Sequence, residues 1–271
     1  MNQIKFKIRR YSSATDTAPY WQTFSVETEP GMTVLQGLQQ IRERLDATLA
    51  WRHSCRMGVC GSCAMIINSE PQLACNTQIQ NLSAQMITLE ALWNFPVAKD
   101  LVPDLMPMFE KHRDIAPYLI RDGGDLPKPG ESELRQSPEE LNEFLQFSSC
   151  IKCGACMAAC PTLANDPHFL GPMPLTATHR YNSDSRDTGF SKRKEKMDGH
   201  HSIAHCHYAA ECTRVCPKGV DPARAIQLMK RDLVLDLFHF SRRSPAQPCD
   251  TCATVDHDSL KAPVFTAREK N

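Results

Sequence analysis

Residues 150–161 read CIKCGACMAACP and residues 206–217 read CHYAAECTRVCP. The first stretch places Cys150, Cys153, Cys156 and Cys160 in the Cys-x2-Cys-x2-Cys-x3-Cys-Pro spacing with which a chain wraps a cubane iron-sulfur cluster. The second repeats it with Ala209 where the second thiolate would stand. In two-cluster proteins of this spacing the fourth cysteine of each run ligates the other cluster. Sorted by that rule, Cys150, Cys153, Cys156 and Cys216 form a four-thiolate set for a [4Fe-4S] cluster. Cys160, Cys206 and Cys212 form a three-thiolate set. With the Ala209 methyl at the open corner, the expected occupant is [3Fe-4S]. Net charge is one lever on cluster potential, so losing a thiolate and an iron predicts a relatively oxidising centre. Pro161 and Pro217 have no N–H and a fixed φ, which turns the chain away from each cluster.

Upstream, Cys55-x4-Cys60-x2-Cys63 followed by Cys75 matches plant-type [2Fe-2S] spacing. Gly58 and Gly61 sit where backbone N–H groups must approach sulfur without Cβ crowding. The alternative, a zinc site, is usually built from two Cys-x2-Cys knuckles, and the x4 interval favours the cluster. Three clusters of three types in one chain have a use as an electron relay. The sequence shows neither a Gly-x-Gly-x-x-Gly after a strand nor a Cys-x-x-Cys-His, so donor and acceptor chemistry is expected on partner subunits.

The totals set limits. The 271 residues allow two domains. Lys plus Arg and Asp plus Glu are 31 each, which argues against nucleic acid as a partner. The thirteen cysteines are an odd number and exceed packing needs, and no apolar leader precedes them, so a reducing compartment is expected. The apolar run DLVLDLFHF is broken by Asp232 and Asp236 and is too short to span a bilayer.

IKFKIRRY and WQTFSVETE alternate as strands and predict a hairpin with a turn at Ala18-Pro19. TVLQGLQQIRERLD predicts a helix with Val34, Leu35, Leu38, Ile41 and Leu45 on one face and Thr33 and Gln36 as a capping box. AMIIN and MITLEAL predict short strands after the cysteine loop. From Phe95 the pattern becomes helical, in DLMPMFEKHR, SPEELNEFLQF and DPARAIQLMKRDLVLDLF, with Ser137 before Pro138 and Asp221 before Pro222 as N-caps. IRDGGDLPKPGES reads as a loop, SKRKEKMDGHH as a polar stretch, and its basic run Lys192 to Lys196 as a solvated face. An α+β protein is expected, with a [2Fe-2S] domain over 1–105, a helical domain over 106–240 and a polar tail over 241–271.

SCRMGVCGSCAM, CIKCGACMAACP, GPMPLTATHRYNSDSRD and CTRVCPKGVDPARAI together resemble the iron-sulfur subunit of succinate dehydrogenase and quinol:fumarate reductase over roughly residues 1–240. RYSSATDTAP and HRYNSDSRDTG lean toward the fumarate reductase branch. The resemblance implies an N-terminal β-grasp fold, as in plant-type [2Fe-2S] ferredoxins, and an all-α bacterial ferredoxin-like second domain. It implies an FAD-containing flavoprotein subunit that interconverts succinate and fumarate, and a membrane anchor where quinone binds beside the [3Fe-4S] cluster, on the cytoplasmic face of the inner membrane. Pro161, His207 and Lys230 match positions at or near the quinone headgroup. The plain alternatives are that His207 caps a loop and Lys230 is one cation of an amphipathic helix. Ubiquinone-reducing members carry Trp shortly after the first Cys-Pro, where this chain has Thr162, Leu163, Ala164 and Asn165, so menaquinone is implied. A soluble thiol-dependent fumarate reductase and a zinc scaffold without redox role are the rival functions. The tail, with Cys249, Cys252 and His257, lies outside the family pattern. It reads as polar chain with incidental thiols, a metal knuckle requiring help from His200, His201 or His205.

Overall fold

The computed structural model describes residues 2–121 and 134–238. Most of the IRDGGDLPKPGES loop, and the tail with Cys249, Cys252 and His257, lie outside the described residues. The first half runs β1 (Asn2–Arg10), β2 (Tyr20–Thr28), α1 (Val34–Arg44), β3 (Ala64–Ile67), β4 (Glu70–Leu73), β5 (Met86–Glu90), β6 (Val97–Lys99) and β7 (Val102–Pro103). Strands one to five form one sheet in the order β2-β1-β5-β3-β4, with β1 and β5 parallel and the other neighbours antiparallel. Alternation sends Ile4, Phe6 and Ile8 inward from β1 while Gln3, Lys5 and Arg9 face solvent. Against that face packs α1 through Val34, Leu35, Leu38 and Ile41. Phe6 lies so close to Gly37 that a Cβ there would stand 2.5 Å from the ring. Thr33 and Gln36 form the expected capping box. Leu45 departs from the expected face: it is the C-cap, and at 55% exposure it has rotated past the apolar stripe.

Behind α1, Arg10 is held by Asp100 at 2.8 Å and Asp46 at 2.7 Å, and the second Asp100 oxygen accepts from the Ala50 N–H at 2.9 Å. This pins the segment that leads into the first cysteine loop. The Thr48 hydroxyl and then Arg10 hold the Asp46 carboxyl down at about 2.

From Met106 onward every described element is helical: α2 (Met106–Asp114), α3 (Pro138–Ser148), α4 (Ala155–Ala158), α5 (Pro161–Asn165), α6 (Pro172–Asn182), α7 (Phe190–Met197), α8 (Glu211–Arg214), α9 (Pro222–Leu237) and a short 3-10 turn at Ile203–His205. Ser137 and Asp221 cap α3 and α9 as their sequences predict. Phe95 and Leu105 pack against both the sheet core and the helical core. The sheet core itself takes in Cys153, Ala155, Ala158 and Val215.

The expectation of a solvated face over Lys192 to Lys196 is corrected at one position. The stretch folds as α7, and Arg193 is buried within it. Its guanidinium meets both Asp187 oxygens at 2.7 and 3.0 Å and donates to the carbonyls of Ala116 and Tyr118. A buried charge is tolerable when it is paired and its donors are used, as here. Lys192 and Lys196 do face solvent.

His179 of α6 is 3% exposed and its ring meets Phe147 edge-on at 4.7 Å. Burial pushes its imidazole down to about 4. The unfolded chain therefore binds a proton between about pH 6.5 and 4 that the folded chain does not, so stability is lost as pH falls through that window. At pH 5 the loss is about 2 kcal/mol from this group. Burial also pushes the His112 imidazole down to about 4, so urea midpoints at pH 7.5 and 5 are expected to differ in wild type and to differ by less, without converging, in His179→Phe. An equal pH dependence in both proteins would refute the assignment.

Candidate iron-sulfur centres

The eleven cysteines among the described residues are free thiols. They lie in three groups. In the first, residues 55–63 fold over their own sulfurs. Cys55 Sγ accepts from the N–H groups of Val59 at 3.3 Å and Cys60 at 3.2 Å, and Cys75 Sγ accepts from Gly58 at 3.2 Å. The Cys55 N–H donates to Cys60 Sγ at 3.4 Å, and that of Cys75 to Cys63 Sγ at 3.5 Å. Left-handed φ at Arg56 (58°), Gly58 (71°) and Gly61 (76°) makes this curl possible. Donors from the Cys55 and Ser62 backbone and the Ser62 hydroxyl bring the Cys60 thiol down to about 6, whereas burial pushes Cys63 up to about 12.

The second group lines one cavity: Cys150, Cys153, Cys156 and Cys216. Burial, reinforced by the neighbouring sulfurs, pushes Cys153 up to about 11 and Cys156 well above the ordinary thiol range. The third lines another cavity: Cys160, Cys206 and Cys212, with Ala209, Pro161 and Phe169 in the same wall. Here burial and then the Cys160 and Cys206 sulfurs raise Cys212 to about 12. The cavities thus bring Cys216 to the first three cysteines of the first run, and Cys160 to Cys206 and Cys212.

The two cysteine runs share one backbone course. Lys152 and Tyr208, each two residues past the first cysteine of its run, have φ of 55° and 59°. Gly154 and Ala210 follow, both left-handed, and each is the N-cap of a four-residue helix, α4 or α8. Ala209 therefore occupies the backbone position of Cys153. A left-handed alanine costs about 1 kcal/mol relative to glycine, yet Ala210 keeps that conformation.

Of the three quinone-matched residues, Pro161 opens α5 and lines the third group's cavity. The Lys230 ammonium donates to the Cys206 carbonyl at 3.1 Å. His207 is exposed, its ring 5.9 Å from that of His205. His205 in turn belongs to a surface group with His200, His201 and His168, in which Asp166 accepts from His201 at 2.6 Å. His200, His201 and His205 are near neighbours in sequence, and folding brings His168 and Asp166 to them. Among the described residues, no set of three His, Cys, Asp or Glu side chains converges as a single ion requires.

Residues 5–110 match the 2Fe-2S iron-sulfur cluster binding domain and residues 146–220 the 4Fe-4S dicluster domain. The fumarate reductase iron-sulfur subunit of Mycobacterium tuberculosis is 42% identical over 230 residues, covering 85% of this chain and 92% of the relative. That of Haemophilus influenzae is 40% identical over 243 residues, covering 86% and 94%. The chain belongs to the iron-sulfur subunits of succinate dehydrogenase and fumarate reductase. The Paracoccus denitrificans succinate dehydrogenase iron-sulfur subunit is 36% identical over 235 residues, covering 86% of this chain and 89% of the relative. A chain of the Mycobacterium smegmatis Sdh1 complex in the apo form superimposes with a TM-score of 0.77 at 27% identity, covering 87% of this chain and 96% of that one. As a member of this family the subunit transfers electrons within an oxidoreductase.

The first and second cysteine groups of this iron-sulfur subunit touch. A Cβ on Gly61 would stand 2.7 Å from Cys153 Cβ and 2.9 Å from its Cα. Gly61→Ala adds that clash to left-handed strain and is expected to cost about 2–4 kcal/mol. Gly58→Ala carries the strain alone, since its nearest neighbour is 3.7 Å away, and is expected to cost about 1–2 kcal/mol. Equal shifts of the two urea midpoints would show that the inter-loop contact contributes nothing.

Proposed function

We propose that Cys55, Cys60, Cys63 and Cys75 hold a [2Fe-2S] cluster, that Cys150, Cys153, Cys156 and Cys216 hold a [4Fe-4S] cluster, and that Cys160, Cys206 and Cys212 hold a [3Fe-4S] cluster. The reading is carried by the third cavity, where three thiols and the Ala209 methyl stand on the backbone course that elsewhere presents four thiols. The donor chemistry fits. Buried thiols raised above their ordinary range stay protonated without metal, and a cationic core stabilises them as thiolates with release of protons. Bound there, the clusters supply one-electron redox capacity. The chain's own residues do the rest: backbone N–H groups stabilise sulfur charge in the first loop, apolar walls exclude water from the buried sets, and the Gly61 contact brings the first two loops together.

In this reading residues 1–105 are a β-grasp domain, 106–240 an all-α domain and 241–271 a tail. The subunit passes electrons between FAD on a flavoprotein subunit and quinone, menaquinone preferred, at a membrane anchor on the cytoplasmic face of the membrane. Pro161, His207 and Lys230 sit on the quinone side, beside the three-thiolate cavity. Among the described residues no helix is long and apolar enough to cross a membrane, so the reading gives membrane attachment to the anchor.

The complex purified from native membranes is expected to carry about nine irons on this chain and to show a three-iron EPR signal when oxidised. Ten irons without that signal, or zinc in a colourless subunit, would overturn the assignment. Ala209→Cys places a thiol on a backbone already shaped for one. It is expected to convert the site toward four irons, lower its potential and slow electron exchange with quinone. An unchanged EPR spectrum would count against the crossed ligand sets.

A further inference from the structure

Asn94 lies in the link between β5 and β6 with a left-handed φ of 63°. Its side-chain amide donates to three backbone carbonyls of the other half: Met157 at 2.9 Å, Ala158 at 3.1 Å and Cys160 at 3.1 Å. The Met157 and Ala158 carbonyls stand at the end of α4 and that of Cys160 at the N-cap of α5. Met157 and Cys160 also accept from the backbone N–H groups of Cys160 and Ala164, so the amide adds a second donor to these two and supplies one to Ala158 at the end of α4. The helix has only four residues, so it has little internal bonding to hold its place. It also has a particular location. Cys156 within it lines the four-thiol cavity, and Cys160, two residues past its end, lines the three-thiol cavity. The neighbours of Asn94 grip the other end, since a Cβ on Gly154 would meet Leu92 at 3.2 Å and Phe95 at 3.5 Å.

The geometry points to Asn94 as a positioning residue of the electron relay, its amide fixing α4, and with α4 both downstream thiol sets, against the sheet that carries the first. This rests on the cysteines being cluster ligands as proposed above. Electron tunnelling falls steeply with distance, so a helix end free to shift would weaken coupling along the whole relay. Nothing in the sequence pattern marks this residue, because its three acceptors lie more than sixty positions away.

Two substitutions separate the amide from the backbone. Asn94→Gly keeps the left-handed conformation without steric cost and removes the donor. Asn94→Asp keeps the shape but turns a carboxylate toward three carbonyl oxygens. In the intact complex, amides of residues 158–160 and 162–164 are expected to exchange with deuterium about tenfold faster in Asn94→Gly, and faster still in Asn94→Asp. The reduced [2Fe-2S] EPR signal is expected to saturate at lower microwave power, because its relaxation by the neighbouring cluster weakens. Wild-type exchange and saturation in both variants would overturn the proposal. Faster exchange with unchanged saturation would also overturn it, leaving Asn94 a helix cap alone. If Asn94→Asp does not assemble, Asn94→Gly decides by itself. Absence of cluster signals in the wild-type complex is a separate failure, that of the ligand assignment, and is visible before any variant is made.

Discussion

Sulfur charge is the constraint on which the rest of the structure depends. Cys153, Cys160 and Cys212 are each less than a tenth exposed, and burial raises all three thiols. As neutral thiols such groups sit comfortably in an apolar cavity, but three or four thiolates there are favourable only around a cation-rich core. The first loop meets the same problem differently. Cys55 and Cys60 lie nearer the surface while Cys63 and Cys75 are buried, and the chain curls so that peptide N–H groups point at the sulfurs. Two solutions, apolar enclosure and amide donation, thus coexist in one polypeptide.

The remaining architecture keeps these enclosures adjacent. Arg10 with Asp46 and Asp100 steadies the approach to the first loop. Residues 92–95 reach from the sheet to both ends of α4, and the shared packing of Phe95 and Leu105 makes the two cores continuous. Farther out, Arg193 and Asp187 tie α7 to the segment that follows α2. A hydrophobic residue of equal size could fill the Arg193 site, but it could not satisfy the Ala116 and Tyr118 carbonyls.

Local signals in the sequence were legible where a few adjacent residues decide the outcome. The Thr33–Gln36 box, the Ser137 and Asp221 caps and the alternation of β1 follow from short-range chemistry, and cysteine spacing gave the three groups. What escaped was set by position within an element or by distant partners. Pro172 and Pro174 make α6 look like a loop, yet both fall in its first turn, where the missing N–H groups would have had no partners. Pro71 likewise obscured β4, which tolerates it as an edge strand. Arg193 looked like one more surface cation because Asp187 and the two carbonyls become its neighbours only on folding. Asn94 was silent for the same reason.

The crossing of the two runs bears on how the subunit is made. The cavity that begins with Cys150 is closed by Cys216, and the one that includes Cys160 waits for Cys206 and Cys212. Neither compartment can be finished while the ribosome is still short of Cys212. On the proposed ligand sets, neither cluster can be completed before the second cysteine run has been made.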